Sequence, residues 1–176
     1  MIKALAFASL VLVSGPDHGP SDEMFEELKN AQTEEQATSV ALDIWSAWME
    51  SGSAAADLVM ERAVTAQSNG DLELARELYD RVMSIQPDYA EAYNRRASVF
   101  LREEKMAEAL RDVNKALELE PRHFGAWTGL GRVLEELGAS KEALEAYREA
   151  LKIHPTLGPA KSAVARLERE QTGTGL

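Results

Sequence analysis

Three histidines, His18, His123 and His154, are the side chains here most able to bind a metal or carry a proton near neutral pH. Metal ligands on helices must share a face, for example at i and i+4. These three lie far apart, and no Cys completes a set. The spacing predicts no metal site, with His18 in a linker and His123 and His154 exposed at junctions. Carboxylates are plentiful, but pairs such as Glu103-Glu104 and Glu135-Glu136 are adjacent and so do not share a helix face. A solvated surface explains them better than acid–base catalysis. The sequence has no glycine-rich phosphate loop, no nucleophile elbow and no cysteine nucleophile. The chain reads as non-catalytic, with no cofactor and no metal.

The balance of charge points the same way. The 176 residues hold 19 Lys and Arg against 30 Asp and Glu, a net of −11, which argues against a nucleic-acid surface. A hydrophobic fraction of 45% is ordinary for a packed globular protein. The absence of Cys excludes disulfides, zinc–cysteine sites and a lipidated cysteine. Residues 17–61 hold eleven acids and one base, Lys29, while residues 62–176 are near balance with 19 acids and 17 bases. Solubility is the default reading of that acidic region; docking of a basic partner is the sharper one.

Residues 1–14 place Lys3 before an apolar stretch of about 11 residues, the length of a secretory h-region and short of the roughly 20 that span a bilayer. The composition predicts a signal peptide and a periplasmic address, with cleavage after Ser14 or failure to cut both open. Only an uncleaved segment would touch the membrane. The alternative is an N-terminal core helix of a cytoplasmic protein. Residues 15–21 read as a Pro/Gly linker and residues 171–176 as a disordered tail.

Pro87, Pro121 and Pro155 recur at a spacing of 34 residues. Small residues recur at Ala63, Ala97 and Gly131 and at Ala75, Ala109 and Ala143. Large ones recur at Val59, Tyr93 and Trp127 and at Tyr79, Val113 and Tyr147. Trp127, Leu130, Gly131 and Leu134 line one helical face; Ala143, Leu144, Tyr147, Ala150 and Leu151 line a second beyond the turn at Gly138. The unit is a helical hairpin used three times, at 54–87, 88–121 and 122–155. A single hairpin cannot bury its apolar face, so hairpins stack. Helices are expected near 54–68, 71–85, 88–102, 105–118, 122–136 and 139–153, and near 157–170 as an end cap with one apolar stripe. Shifting back one period puts Phe25 under Val59, Ala41 under Ala75 and Trp45 under Tyr79. Residues 22–53 thus read as a degenerate N-terminal hairpin with helices near 22–31 and 33–50. Thr33 and Gln36 form its capping box.

This pattern resembles the tetratricopeptide repeat, a helix-turn-helix of about 34 residues. Residues 122–155 match it most fully, through Trp127, Leu130-Gly131, Ala143, Tyr147, Ala150 and Pro155; Glu104 replaces the usual turn glycine in the middle repeat. The resemblance implies an all-α, right-handed α-solenoid of stacked antiparallel helix pairs with a C-terminal capping helix. It also implies a concave groove, lined by first helices, that binds a partner protein or peptide. The columns expected to face that groove supply Met60, Asn94 and Thr128, then Val64, Ser98 and Arg132, then Gln67, Leu101 and Glu135, with Arg95 and Arg102 beside them. Asn94 can donate to and accept from an extended backbone, and Arg132 can pair with a carboxylate. A subset of the family clamps chaperone C-terminal tails with Lys, Asn and Arg. Met60, Val64, Arg95, Gly125 and Gly129 stand at those positions, so that role is disfavoured.

The leading expectation is a non-catalytic adaptor or scaffold in the bacterial periplasm, with an envelope or peptidoglycan-enzyme accessory role resting on family analogy. The alternatives are a self-associating structural helical stack, which light scattering distinguishes by its concentration dependence, and a cytosolic adaptor of the same family.

Overall fold

Polar caps and left-handed turns divide the apolar stripes into nine helices among the described residues, with no strand. The computed structural model describes residues 19–173. The expected signal segment, most of the linker and residues 174–176 lie outside the described residues. The helices are α1 (Asp22–Asn30), α2 (Glu34–Trp48), α3 (Ala54–Ser68), α4 (Leu72–Ile85), α5 (Ala90–Arg102), α6 (Met106–Leu119), α7 (Phe124–Glu136), α8 (Ser140–Ile153) and α9 (Gly158–Gly173). The expected tail is corrected at its start, because Gln171 to Gly173 continue α9, where the Thr172 hydroxyl donates to the Glu168 and Arg169 carbonyls.

Helices α3 and α4, α5 and α6, and α7 and α8 form three pairs; each pair stacks on the next, and α9 closes the end against α8. The small-residue columns allow this. Ala63, Ala75, Ala109 and Ala143 are buried, and Tyr79, Val113 and Tyr147 fill the space between the helices. Gly131 is the tightest point: a Cβ there would lie 2.7 Å from two carbons of the Tyr147 ring. Arg96 binds the first two pairs together. It donates twice to the buried Asp112 on α6, at 2.6 and 2.7 Å, and once to Asp80 on α4 at 2.5 Å.

The turns between paired helices need a positive φ. Gly70 and Gly138 supply it without strain, at 81° and 74°. Glu104 occupies the same place with φ 58°, a conformation that a side chain with a Cβ disfavours. Glu104→Gly is therefore expected to raise stability by roughly 0.5–1 kcal/mol, the relief of strain less the added unfolded-state entropy. Chemical denaturation checks it; a lowered midpoint would show that this backbone carries no strain.

The N-terminal hairpin forms, and Thr33 caps α2 by accepting from the Gln36 amide at 3.1 Å. The hairpin does not extend the stack as a fourth repeat, however. Phe25, Leu28, Val40, Ile44 and Trp48 share one core with Phe124, Leu144, Tyr147 and Leu167 at the opposite end of the array. Helix α2 runs along the edge made by the turns between repeats. Trp48 stacks on His123, with ring centres 3.9 Å apart and planes 3° apart. Trp45 meets Phe124 edge-on. One end of α2 borders the turns at 86–91 and 119–122, and the other the turn at 154–158. From outside, Arg122 lies 4.1 Å over the Phe25 ring and donates to Asp22 at 2.5 Å.

The physical reason is a column of residues two positions after each repeat proline: Tyr89, His123 and Leu157. These sit at the turns; Tyr89 is buried in the core of α3 to α5, whereas His123 and Leu157 lie against the two tryptophans of α2, which bring large apolar area to them. The expected exposure of His123 and His154 is thereby corrected: they are 0% and 6% exposed.

Candidate functional site: the concave groove

Helices α5 and α7 run side by side along the inner face of the array. Residues on one face of each recur every three to four positions, which places Asn94 and Ser98 on α5 opposite Thr128 and Arg132 on α7. All four line a single cavity of about 290 Å³. Its floor and walls are apolar, from Ala97, Leu101 and Val113 below and Phe124, Leu157 and Pro159 at one end. The end wall includes Trp45 from α2, a groove residue that the repeat columns do not reveal. Gly125 makes room for it: a Cβ at Gly125 would come within 2.5 Å of the Trp45 ring.

The polar atoms of the groove differ in how free they are. Asn94 donates its amide to Glu91 at 2.9 Å, and its oxygen lies beside Gly129. Ser98 donates to the Arg95 carbonyl and accepts from Gln67 at 2.7 Å. Thr128 donates to the Phe124 carbonyl at 2.8 Å. The exposed Arg132 makes no hydrogen bond or ion pair among the described residues. Arg102 donates to the Gln67 carbonyl at 3.2 Å and shares a shallow neighbouring depression with Arg132.

Four expected groove residues lie elsewhere or are committed. Met60 is fully buried in the core shared by α3, α4 and α5, and Val64 packs half-buried against it. An unbranched apolar side chain gains more by turning into that seam than by facing water. Arg95 donates to Glu91 at 2.6 Å and serves the interior of the groove wall. Gln67 is tied on both sides, since it also accepts from the Tyr79 hydroxyl at 2.5 Å, whose pKa burial pushes up to about 12.

Behind Asn94 lies a buried network that the sequence did not announce. Glu91 is 1% exposed and is met by Asn94, Arg95 and His123. The Nδ1 of His123 accepts from the Ala126 amide at 3.1 Å, which caps α7. Its Nε2 therefore carries the proton and donates to Glu91 at 2.9 Å. Burial alone would raise the Glu91 pKa; the donors from His123, Arg95 and Asn94 outweigh it and hold the carboxyl below its ordinary value. The groove wall is thus wired through Glu91 and His123 to the Trp48 stack. No group of three or more possible metal ligands occurs among the described residues. No helix there is long and apolar enough to cross a membrane.

Stacked helical hairpins with a lined inner groove define a helical-repeat superhelix, and the comparisons agree with that class. The tetratricopeptide repeat family model matches residues 60–118 and 95–157. A TPR repeat-containing protein of Rhizobium etli is 32% identical over 152 residues, 86% of this chain and 74% of that protein. The Arabidopsis OM64 TPR domain is similar in structure with a TM-score of 0.63 at 28% identity, covering 65% of this chain and 95% of that domain. The first TPR domain of Spaghetti (RPAP3), solved with an HSP90 peptide, aligns at a TM-score of 0.64 and 23% identity, over 66% and 93% of the two chains. The chain belongs to the tetratricopeptide repeat family.

Proposed function

We propose that this protein is a non-catalytic adaptor that holds an extended segment of a partner protein or peptide in the groove between α5 and α7. The observation that carries the reading is the convergence of Asn94, Ser98, Thr128 and the unpaired Arg132 on one apolar-floored cavity. The family's solved relatives include a domain holding a peptide, which supports a peptide-sized occupant. That relative's ligand does not carry over, because Met60, Gly125 and Gly129 stand where the chaperone-tail clamp needs polar side chains.

Peptides selected from a displayed random library supply the probe. Arg132→Ala should weaken their binding about tenfold, a loss of about 1.4 kcal/mol, and leave stability within about 0.5 kcal/mol of wild type, as for other exposed positions. Asn94→Ala should weaken binding similarly, with about 1–2 kcal/mol of destabilisation because Glu91 loses a donor. Binding through Arg132 should also fall as salt rises. Selected peptides that bind both variants at wild-type affinity would refute the groove.

The periplasmic address belongs to the same proposal and rests on Lys3 and the apolar run behind it. Residues 1–30 fused to a reporter active only outside the cytoplasm should give signal, and charged substitutions at Leu10 and Leu12 should abolish it. Reporter silence with the unaltered segment would overturn the address and leave the groove reading standing.

A further inference from the structure

Resting on the groove reading, we infer that Trp45 of the non-repeat hairpin sets the specificity of the site. It turns an open groove into a pocket for one bulky apolar side chain, whose peptide bears a carboxylate two or three residues away. Four observations carry this. Trp45 is half-buried and lines the cavity although it lies outside the repeats. Gly125, which would clash with it if it bore a Cβ, lets its ring come close to the α7 backbone. The volume of about 290 Å³ lies at the small end of ligand pockets and suits a side chain better than a cofactor. Arg132 on the same cavity is exposed and makes no hydrogen bond or ion pair among the described residues, so its guanidinium is available to an acidic group there.

The spacing follows from the helix. Gly125 and Arg132 are seven residues apart, about 10 Å along α7 at 1.5 Å per residue. An extended chain covers about 3.3 Å per residue. The arginine side chain leans back towards the helix N-terminus, which shortens the span to two or three residues. Thr128 and Gly129 lie between, and the Asn94 oxygen beside Gly129 is placed to accept a peptide amide.

The test is selection of a displayed random heptapeptide library on the full chain, followed by affinities of the selected peptides. Wild type should enrich Leu, Met, Phe or Trp two or three positions from Asp or Glu. Changing that apolar residue to Ala in a synthetic peptide should cost about 10- to 100-fold in affinity. On Trp45→Ala the acidic preference should persist while the apolar position becomes indifferent. Gly129→Ala provides a second variant that leaves the hairpin intact. Its Cβ would sit at an ordinary 3.6 Å from Val113, so the fold accommodates it, and the enriched apolar residue should become smaller. An unchanged apolar preference in both variants overturns the inference; if binding still depends on Asn94 and Arg132, the groove reading survives. Selected peptides insensitive to all four variants would discard both.

Discussion

Gly131→Leu is expected to lower stability by about 3 kcal/mol, the upper end of core overpacking, and the thermal midpoint by roughly 6–12 °C for a chain of this size. The first added carbon would already fall 2.7 Å from the Tyr147 ring. That ring cannot swing aside, because Tyr147 is 2% exposed and its hydroxyl donates to Glu135 at 2.6 Å. Only separation of α7 from α8 relieves the overlap, and that opens the third repeat. Gly129→Ala, two residues away on the same helix, provides the control. Its Cβ meets ordinary contacts only, so the gain in helix propensity should leave stability equal or higher. Two similar melts would mean that the 34-residue column of small residues is not the seam between helices.

His123→Ala is the second large effect, about 3–5 kcal/mol. It empties a fully buried site against Trp48 and removes a donor from a buried carboxylate. It also leaves the Ala126 amide of α7 uncapped. A pH series distinguishes this from simple cavity formation. The folded-state pKa of Glu91 is depressed, so its contribution is present above the ordinary glutamate value of about 4.3 and is lost as pH falls through the folded value. Without His123 the depression is smaller, so the loss on acidification still begins near the ordinary value but ends at a higher pH and is smaller in total. An acid-unfolding profile that matches wild type in shape would show that the His123–Glu91 bond has no energetic role.

The array was legible because each repeat must solve the same packing problem. Ala63, Ala97 and Gly131 had to be small and Tyr79, Val113 and Tyr147 large, so the phase emerged from residue size alone. The expected helices fall within three residues of the observed ends. The hairpin's position was not legible, because it depends on a surface that exists only after the repeats have stacked. One signal was present in the sequence: Tyr89, His123 and Leu157 share a column at turns where water-facing residues would be expected. Read with Trp45 and Trp48 on one face of α2, that column asks for cover along the edge and not at the end of the stack.

The groove was half legible for a related reason. Asn94, Ser98, Thr128 and Arg132 followed from periodicity, and one cavity unites them. Met60 shared the Asn94 column, yet its apolar chain joined the core, since a column fixes direction and not burial. Trp45 was beyond reach of any repeat argument. Arg95 and Asn94 looked free because their partner, Glu91, had the ordinary appearance of a surface acid.

The acidic N-terminal hairpin is the rival of the proposed groove between α5 and α7 as the binding surface. One titration separates them: a library-selected peptide against wild type, against Asn94→Ala and Arg132→Ala, and against a chain with Glu26→Gln, Glu27→Gln and Asp43→Asn. A groove-bound peptide should lose about tenfold or more in affinity in each groove variant and keep wild-type affinity when the hairpin acids are neutralised. Full affinity in both groove variants, with loss on neutralising the hairpin, would contradict binding in the groove.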